Sequence, residues 1–216
     1  MTRMNRWIGG FAGLLLAMAM TGVSAAPQAG AGDRTLAAVE ARIGKVQLLR
    51  GRFEQEKQVQ GFRNPLRSQG RFVLARDRGV LWTTEKPFPS EVVLTGQRIL
   101  SRQPDGSMRI ELDGRQQPAL AAANAMMLAL VGGDVGALST HFRIRAEALA
   151  GDRWRMTLVP RGAALARAFT SIALSGDRHV REVEIIEAGG DRTRLRFSEL
   201  AETPARLSPA EAARFD

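Results

Sequence analysis

The chain has 216 residues, of which 44% are hydrophobic and 25% charged; this composition fits one globular domain with a sizeable core and excludes a disordered polymer. It holds no cysteine, which excludes a disulfide framework, a thiolate metal site, a thiol nucleophile and the lipidated cysteine of a bacterial lipoprotein. The net charge is +9, from 31 basic and 22 acidic residues, and Lys45, Lys57 and Lys86 are the only lysines. Such an arginine excess suits an anionic lipid or lipopolysaccharide surface, and it equally fits a genome that favours arginine codons.

Residues 1–25 read as a cleaved signal peptide. Arg3 and Arg6 make a basic start, Ile8 to Met20 a short apolar run, and Val23-Ser24-Ala25 a small-x-small cleavage pattern, with Pro27 disfavouring the next bond. The apolar run is shorter than the roughly 20 residues that span a bilayer. Without Arg3 and Arg6 the mature chain keeps 29 basic residues against 22 acidic, a net of about +7. It is expected to be exported, soluble and periplasmic, and nucleic acid is therefore not an expected partner. Residues 26–34 read as a small-residue linker, 35–200 as one domain, and 201–216 as a tail with two prolines and no periodicity.

Leu36, Val39, Ile43, Val46 and Leu49 fall near helical spacing. They predict an amphipathic helix capped by Asp33 or Thr35, stopped by Gly51 and laid against a sheet. From Arg52 the period becomes two, and residues 52–60 read as a polar strand with Phe53 and Val59 on one face. Residues 70–89, GRFVLARDRGVLWTTEKPFP, read as two strands around Asp77-Arg78-Gly79, with Arg76 opposite Val80. Phe72, Leu74 and Arg76 then share a face with Val80, Trp82 and Thr84. The pattern admits two readings of this hairpin: ordinary core with Arg76 in water, or an apolar pocket whose mouth Arg76 closes.

EVVLT and RILSR read as strands around Gly96, and after the turn Pro104-Asp105-Gly106 the residues Met108, Ile110 and Leu112 alternate on one face. Residues 118–131, PALAAANAMMLALV, have strong helix propensity and end at Gly132-Gly133, with Asp134 capping a short turn to about Ser139. Phe142, Ile144 and Ala146, and then Trp154, Met156 and Leu158, alternate with polar residues in a pair of strands around Gly151-Asp152. Three further strands, near 169–175, 180–187 and 192–199, complete the domain. The total is about ten antiparallel strands with one long and a few short helices. A helix about 10 Å wide covers roughly two strands spaced about 4.8 Å apart, so the sheet must curl into a partial barrel. Whether the helices fill that barrel is left open by the pattern, although Met108, Met126, Met127 and Met156 are flexible apolar residues suited to irregular ligands.

Catalytic chemistry finds little support. His141 and His179, the only histidines, follow a helix end and a turn and share no metal-ligand spacing. No GxSxG, HExxH or phosphate-loop motif occurs. Glu182 and Glu184 lie on one face of a strand, but Val183 and Ile185 take the opposite, buried face, so the pair reads as solvated. No catalytic residue, metal site or cofactor is expected.

An exported precursor runs from an amphipathic helix into RGRFEQEKQVQ, GRFVLARDRGVLWTTEKPF and EVVLTGQRIL, and later DRWRMTLVPR, FTSIALSGDRHVREVEI and DRTRLRFSEL. In this order the segments resemble the LolA family of periplasmic lipoprotein carriers over roughly residues 35–199. The resemblance implies an α+β fold: a strongly curved antiparallel sheet forming an unclosed β-barrel, covered by an N-terminal helix and short lid helices. It implies a non-enzymatic, monomeric carrier that takes acyl chains of a lipoprotein or other acylated lipid from an inner-membrane donor complex to an outer-membrane acceptor. The gate of the family matches Arg76. The implied wall comprises Phe53, Phe72, Leu74 and Trp82 with Val92 and Leu94, then Met108, Ile110 and Leu112, and then Trp154, Met156 and Leu158, with Met126 and Met127 on the lid. Where the family typically has Arg-Pro this chain has Arg76-Asp77, and the stretch from Phe62 to Arg67 is its own. The chain looks most like the divergent LolA-like group associated with aryl-polyene pigment gene clusters, which implies a pigment lipid as a second candidate cargo. A lipid-sensing regulatory module of the same fold is the alternative function.

Overall fold

The structure, a computed structural model, describes residues 31–44, 46–96, 98–103, 105–113, 126 and 128–215. The expected signal peptide and Met127 lie outside the described residues. Eleven strands form one antiparallel sheet: β1 (Leu48–Gln58), β2 (Leu66–Ala75), β3 (Gly79–Lys86), β4 (Ser90–Leu94), β5 (Arg98–Arg102), β6 (Met108–Asp113), β7 (Phe142–Ala148), β8 (Trp154–Pro160), β9 (Phe169–Gly176), β10 (Val180–Glu187) and β11 (Arg192–Ala201). Their order is β6-β5-β4-β3-β2-β1-β11-β10-β9-β8-β7. The edges β6 and β7 do not pair, so the sheet is an unclosed half-barrel. These two edges are also consecutive in the chain. The connection between them, which carries α2 (residues 128–132) and α3 (Val135–His141), therefore runs from one rim to the other. Helices on that connection are placed to cover the concavity.

The helix α1 (Ala31–Arg42) is shorter than the apolar spacing predicts. It starts before Asp33 and ends ahead of Gly44, and Val46 and Leu49 reach the core from the approach to β1 and from β1 itself. Two forces outweigh helical spacing here: the glycine frees the chain from the helix, and the β1 ladder captures the residues after it. Gly44 N–H donates to Arg178 O at 2.8 Å. The other end of α1 is tied down by Arg42, whose Nη1 donates to Leu149 O at 3.2 Å and Arg153 O at 2.7 Å in the β7–β8 turn.

The two faces of the sheet hold separate cores. On the inner face Val39, Ile43, Phe53, Phe72, Leu130, Leu138, Trp154, Met156, Leu158, Ile172 and Leu174 belong to one cluster. A short α4 (Ala163–Ala166) links β8 to β9. On the outer face Leu48, Val73, Ala75, Leu81 and Val93 gather around Phe215 of α5 (Pro209–Phe215), with Leu100, Met108 and Leu207 packed against them. The tail that looked aperiodic thus folds back as a short helix on the rear of the sheet. A helix of this length has too few turns to display a period; its position is set by side chains at both ends. Arg50 makes a two-point ion pair with Glu211, Nε–Oε1 and Nη2–Oε2 both 2.7 Å, and also donates to Pro204 O and Arg206 O. Arg214 donates to Glu91 and, at 2.9 Å, to Thr83 Oγ1.

Candidate functional site

The hairpin β2–β3 is built on a loop one residue earlier than the sequence predicts. Ala75 faces Gly79, Leu74 faces Val80 and Phe72 faces Trp82, leaving Arg76, Asp77 and Arg78 in the turn. Gly79 sets this register: its φ is +131°, and a Cβ there would stand 2.0 Å from Leu94 O. The register shift is even, so Phe72, Leu74, Val80 and Trp82 keep a common inner face. Thr84, at the far end of β3, faces Gly70, while Arg76 leaves the ladder.

At the centre of the concavity four aromatic rings meet. Phe53 stacks on Trp82 with centroids 3.9 Å apart, Phe72 lies 6.1 Å from Trp82, and Phe197 meets Phe72 edge-on at 5.3 Å. The stack needs a gap beneath it, and Gly70 opposite Phe53 supplies one. A Cβ on Gly70 would meet Thr83 O at 1.9 Å and Phe53 Cε1 at 2.9 Å. Phe53 and Phe72 are buried, whereas Trp82 keeps one side uncovered.

That uncovered side opens into an apolar cavity of about 190 Å³ between β3, β4 and α2. Val80, Trp82, Val92 and Leu94 form its floor, Leu128 and Val131 its roof, and Gln55 and Leu195 its rim. A second cavity of about 160 Å³ lies on the other side of Leu128, bounded by Leu74, Arg76, Gly79, Gly132 and Asp134. Leu128 of α2 divides the two.

Arg76 closes the second cavity. Its Nε donates to Val46 O at 2.9 Å, and its Nη1 pairs with Asp134 Oδ2 at 3.3 Å. Asp134 also caps α3, its Oδ1 accepting from Ala137 N–H at 3.0 Å. One guanidinium thus joins the turn β2–β3, the strap before β1 and the elbow between α2 and α3.

The other residues singled out from sequence divide into three groups. Trp154, Met156 and Leu158 alternate inward as expected and are fully buried, beneath α1 and α3. Trp154 Nε1 donates to Asp177 O. Met126 is buried in the inner cluster. Met108 and Ile110, however, face outward. Ile99 pairs with Leu112 but the next residue, Leu100, pairs with Ile110, so Glu111 is an extra residue that flips the strand. Met108 packs on the rear cluster and Ile110 is 53% exposed. Leu112 takes an inner-face register position opposite Ile99. The cavity residues that sequence reading missed are Leu128, Val131, Leu195 and Gln55; the first two fall within a helix whose covering face only the fold reveals.

Glu182 and Glu184 serve as outer-face ion partners of Arg194, at 3.2 Å each. His179 Nε2 lies 2.9 Å from Glu202, beside Arg178. Among the described residues no group of three or more His, Cys, Asp or Glu side chains could hold a metal ion, and no helix is long and apolar enough to cross a membrane.

A half-barrel with two small cavities under a helix, edged by an arginine clasp, is the architecture of a binding fold. The family model for outer membrane lipoprotein carrier protein LolA matches residues 44–210, and the chain belongs to the LolA family. Among solved structures it is similar to a LolA superfamily protein from Nitrosomonas europaea, at 9% identity over 84% of this chain and 96% of that one, with a TM-score of 0.43. It is similar also to a DUF1329 family protein from Desulfovibrio piger, at 10% identity over 86% and 99% with a TM-score of 0.49. MucB is matched at 15% identity over 83% of this chain and 62% of that one, with a TM-score of 0.47. No curated protein matches the chain.

Proposed function

We propose that this chain is a periplasmic carrier that shelters the acyl chains of a lipoprotein or another acylated lipid on the inner face of the sheet, and passes its cargo from an inner-membrane donor to an outer-membrane acceptor. The observation that carries the reading is the apolar cavity against Trp82, Val92 and Leu94, roofed by Leu128 and Val131 and left unfilled by the side chains of the described residues. Its volume, about 190 Å³, is below the roughly 300–1,000 Å³ of common small-ligand sites. A guest therefore has to lift α2, which would merge this cavity with the one of about 160 Å³ beside Arg76.

The energetics favour such a clasp. Each buried methylene contributes about 0.8 kcal/mol, so a chain of roughly sixteen carbons gains on the order of 10 kcal/mol. The Arg76–Asp134 pair is partly exposed on both sides, at 37% and 41%, and pairs of that kind contribute about 0–1 kcal/mol. Cargo can open the clasp, and re-forming it favours the empty, closed state. In this reading Arg76 is the gate.

The test is Arg76→Leu, assayed with a fluorescent acyl probe. Loading should persist and release to acceptor vesicles should slow about three- to tenfold, by loss of a bond worth about 1 kcal/mol. Unchanged release would remove Arg76 from the mechanism. Loss of loading in a well-folded variant would assign it to cargo binding instead.

A further inference from the structure

The end of the sheet opposite the Arg76 turn exposes three large apolar side chains. Phe62 is 65% exposed in the β1–β2 turn, Leu66 is 60% exposed at the start of β2, and Phe88 is 81% exposed in the β3–β4 turn. The turns are built to hold them out. Phe62 N–H donates to Val59 O at 3.1 Å, and Gln58 Nε2 donates to Phe62 O at 2.7 Å. Phe88 stands between Pro87 and Pro89, which leave its backbone little freedom. Gln69 faces Lys86 across the β2–β3 ladder, so the two turns project side by side from the same end.

Within the two turns the charge is basic, while acidic residues flank them: Asp191 Oδ1 accepts from Gln60 N–H at 2.9 Å, Glu187 and Asp191 pair with Lys57, and Glu56 pairs with Arg67. Residues 59–69 contain Arg63 and Arg67 and no acidic residue, and residues 86–90 contain Lys86 and no acidic residue. Arg67 is paired with Glu56 yet remains 74% exposed. Arg63 and Lys86 have no ion-pair partner among the described residues. Just behind the turns, the outer face carries a groove of about 480 Å³ where Arg67, Lys86, Arg194 and Arg196 outnumber Glu54 and Glu56.

We propose that this end of the sheet docks on an anionic phospholipid bilayer. Phe62, Leu66 and Phe88 enter the boundary between headgroups and acyl chains, and Arg63, Arg67 and Lys86 lie at the level of the phosphates. A protein partner would fit less well, because protein interfaces gather their apolar residues into one central patch with a polar rim. Here the apolar side chains stand apart on two turns with cations between them. On β2 the alternation Leu66, Ser68, Gly70, Phe72, Leu74 puts Leu66 on the face that leads to the aromatic stack. Docking would thus set the mouth of the concavity against lipid while the Arg76 turn, at the far end, stays free. The inference rests on the exposed turns and not on the carrier reading.

The experiment is co-flotation of the purified protein with vesicles of phosphatidylglycerol and phosphatidylethanolamine, or of phosphatidylcholine alone, with the amino terminus of each sample read by mass spectrometry so that any leader is common to all. The wild type should partition at least about tenfold better onto the anionic vesicles, an advantage lost at high salt. The variant F62S/L66S/F88S should bind at least about tenfold more weakly. R63Q/R67Q/K86Q should lose the preference for anionic lipid, whereas R145Q/R155Q, on the exposed side of β7 and β8, should keep it. All variants should melt within a few degrees of the wild type, since the changed residues are exposed. Failure of the wild type to bind anionic vesicles, or equal binding by F62S/L66S/F88S, would overturn the proposal and leave these turns to a protein partner. Acyl-probe loading, measured in solution without vesicles, tests the carrier reading separately.

Discussion

The two halves of the inner face are finished differently. From β7 to β11 the chain packs its own helices down: Val39 and Ile43 of the α1 segment and Val135 and Leu138 of α3 seal Trp154, Met156, Leu158, Ile172 and Leu174 from water. Among the described residues, the same kind of apolar face from β2 to β5 meets α2, and Trp82, Val92 and Leu94 remain partly uncovered beside a cavity. The open half has, among the described residues, a support the filled half lacks, because α5 and Phe215 pack on its rear. Under the carrier reading the front of this half has to admit a guest, and the contacts of α5 hold the same strands from behind.

The largest effect should come from the filled half. Trp154→Ala removes a fully buried indole and its hydrogen bond to Asp177 O, and should cost about 3–5 kcal/mol in chemical denaturation. Val92→Ala, in the open half, should cost about 1 kcal/mol or less while weakening acyl-probe binding. Equal losses at the two positions would erase the distinction between the halves.

The rear support comes next. The Arg50 hydrogen bonds hold Glu211 down to about 2, against an ordinary 4.5, despite the opposing effect of burial. A carboxylate with a lowered folded pKa contributes its full stabilisation above the unfolded value and loses it as the pH falls through the folded one. Glu211→Gln should therefore cost about 1.5–3 kcal/mol at pH 7, and its difference from wild type should shrink as the pH drops from about 4.5 towards 2. Hydrogen exchange in Glu211→Gln should rise on β2, β3 and β4 and stay unchanged on β8 and β9. Uniform acceleration would mean that α5 supports the whole sheet.

The smallest effect lies on the seam between the halves. Glu199 has φ 51° at the irregularity where Arg50 faces Ala201 and Arg52 faces Ser198. A left-handed non-glycine residue costs about 1 kcal/mol, so Glu199→Gly should raise the denaturation midpoint slightly without touching probe binding.

How far the sequence can be read depends on which contacts are local. Strand alternation sufficed for Trp154, Met156 and Leu158 and for the inner face of the β2–β3 hairpin, and the order of segments sufficed for the family. Alternation failed at Glu111, where one extra residue turned Met108 and Ile110 outward, because a bulge leaves no mark on composition. Helical spacing overran Gly44 because β1 competes for the same residues through ladder partners on β2, Ala75 opposite Leu48 and Leu74 opposite Leu49, which helical spacing does not show. The tail was opaque for a similar reason: α5 depends on Arg50 and the rear of the sheet, contacts the tail cannot announce. Whether the helices fill the concavity was decided by which face α2 presents, so Leu128 and Val131 could not be named beforehand. The clasp residue Arg76 was legible, but Asp134, its partner 58 positions on, was legible only as a cap.

The most direct measurement compares Trp82 and Trp154 as reporters of the two halves, in a background with Trp7 replaced by Phe. A fatty acid brominated along its chain should quench the fluorescence of Trp82 in the Trp154→Phe variant and leave Trp154 in the Trp82→Phe variant bright. Equal quenching of both, or of neither, would contradict a guest site confined to the open half.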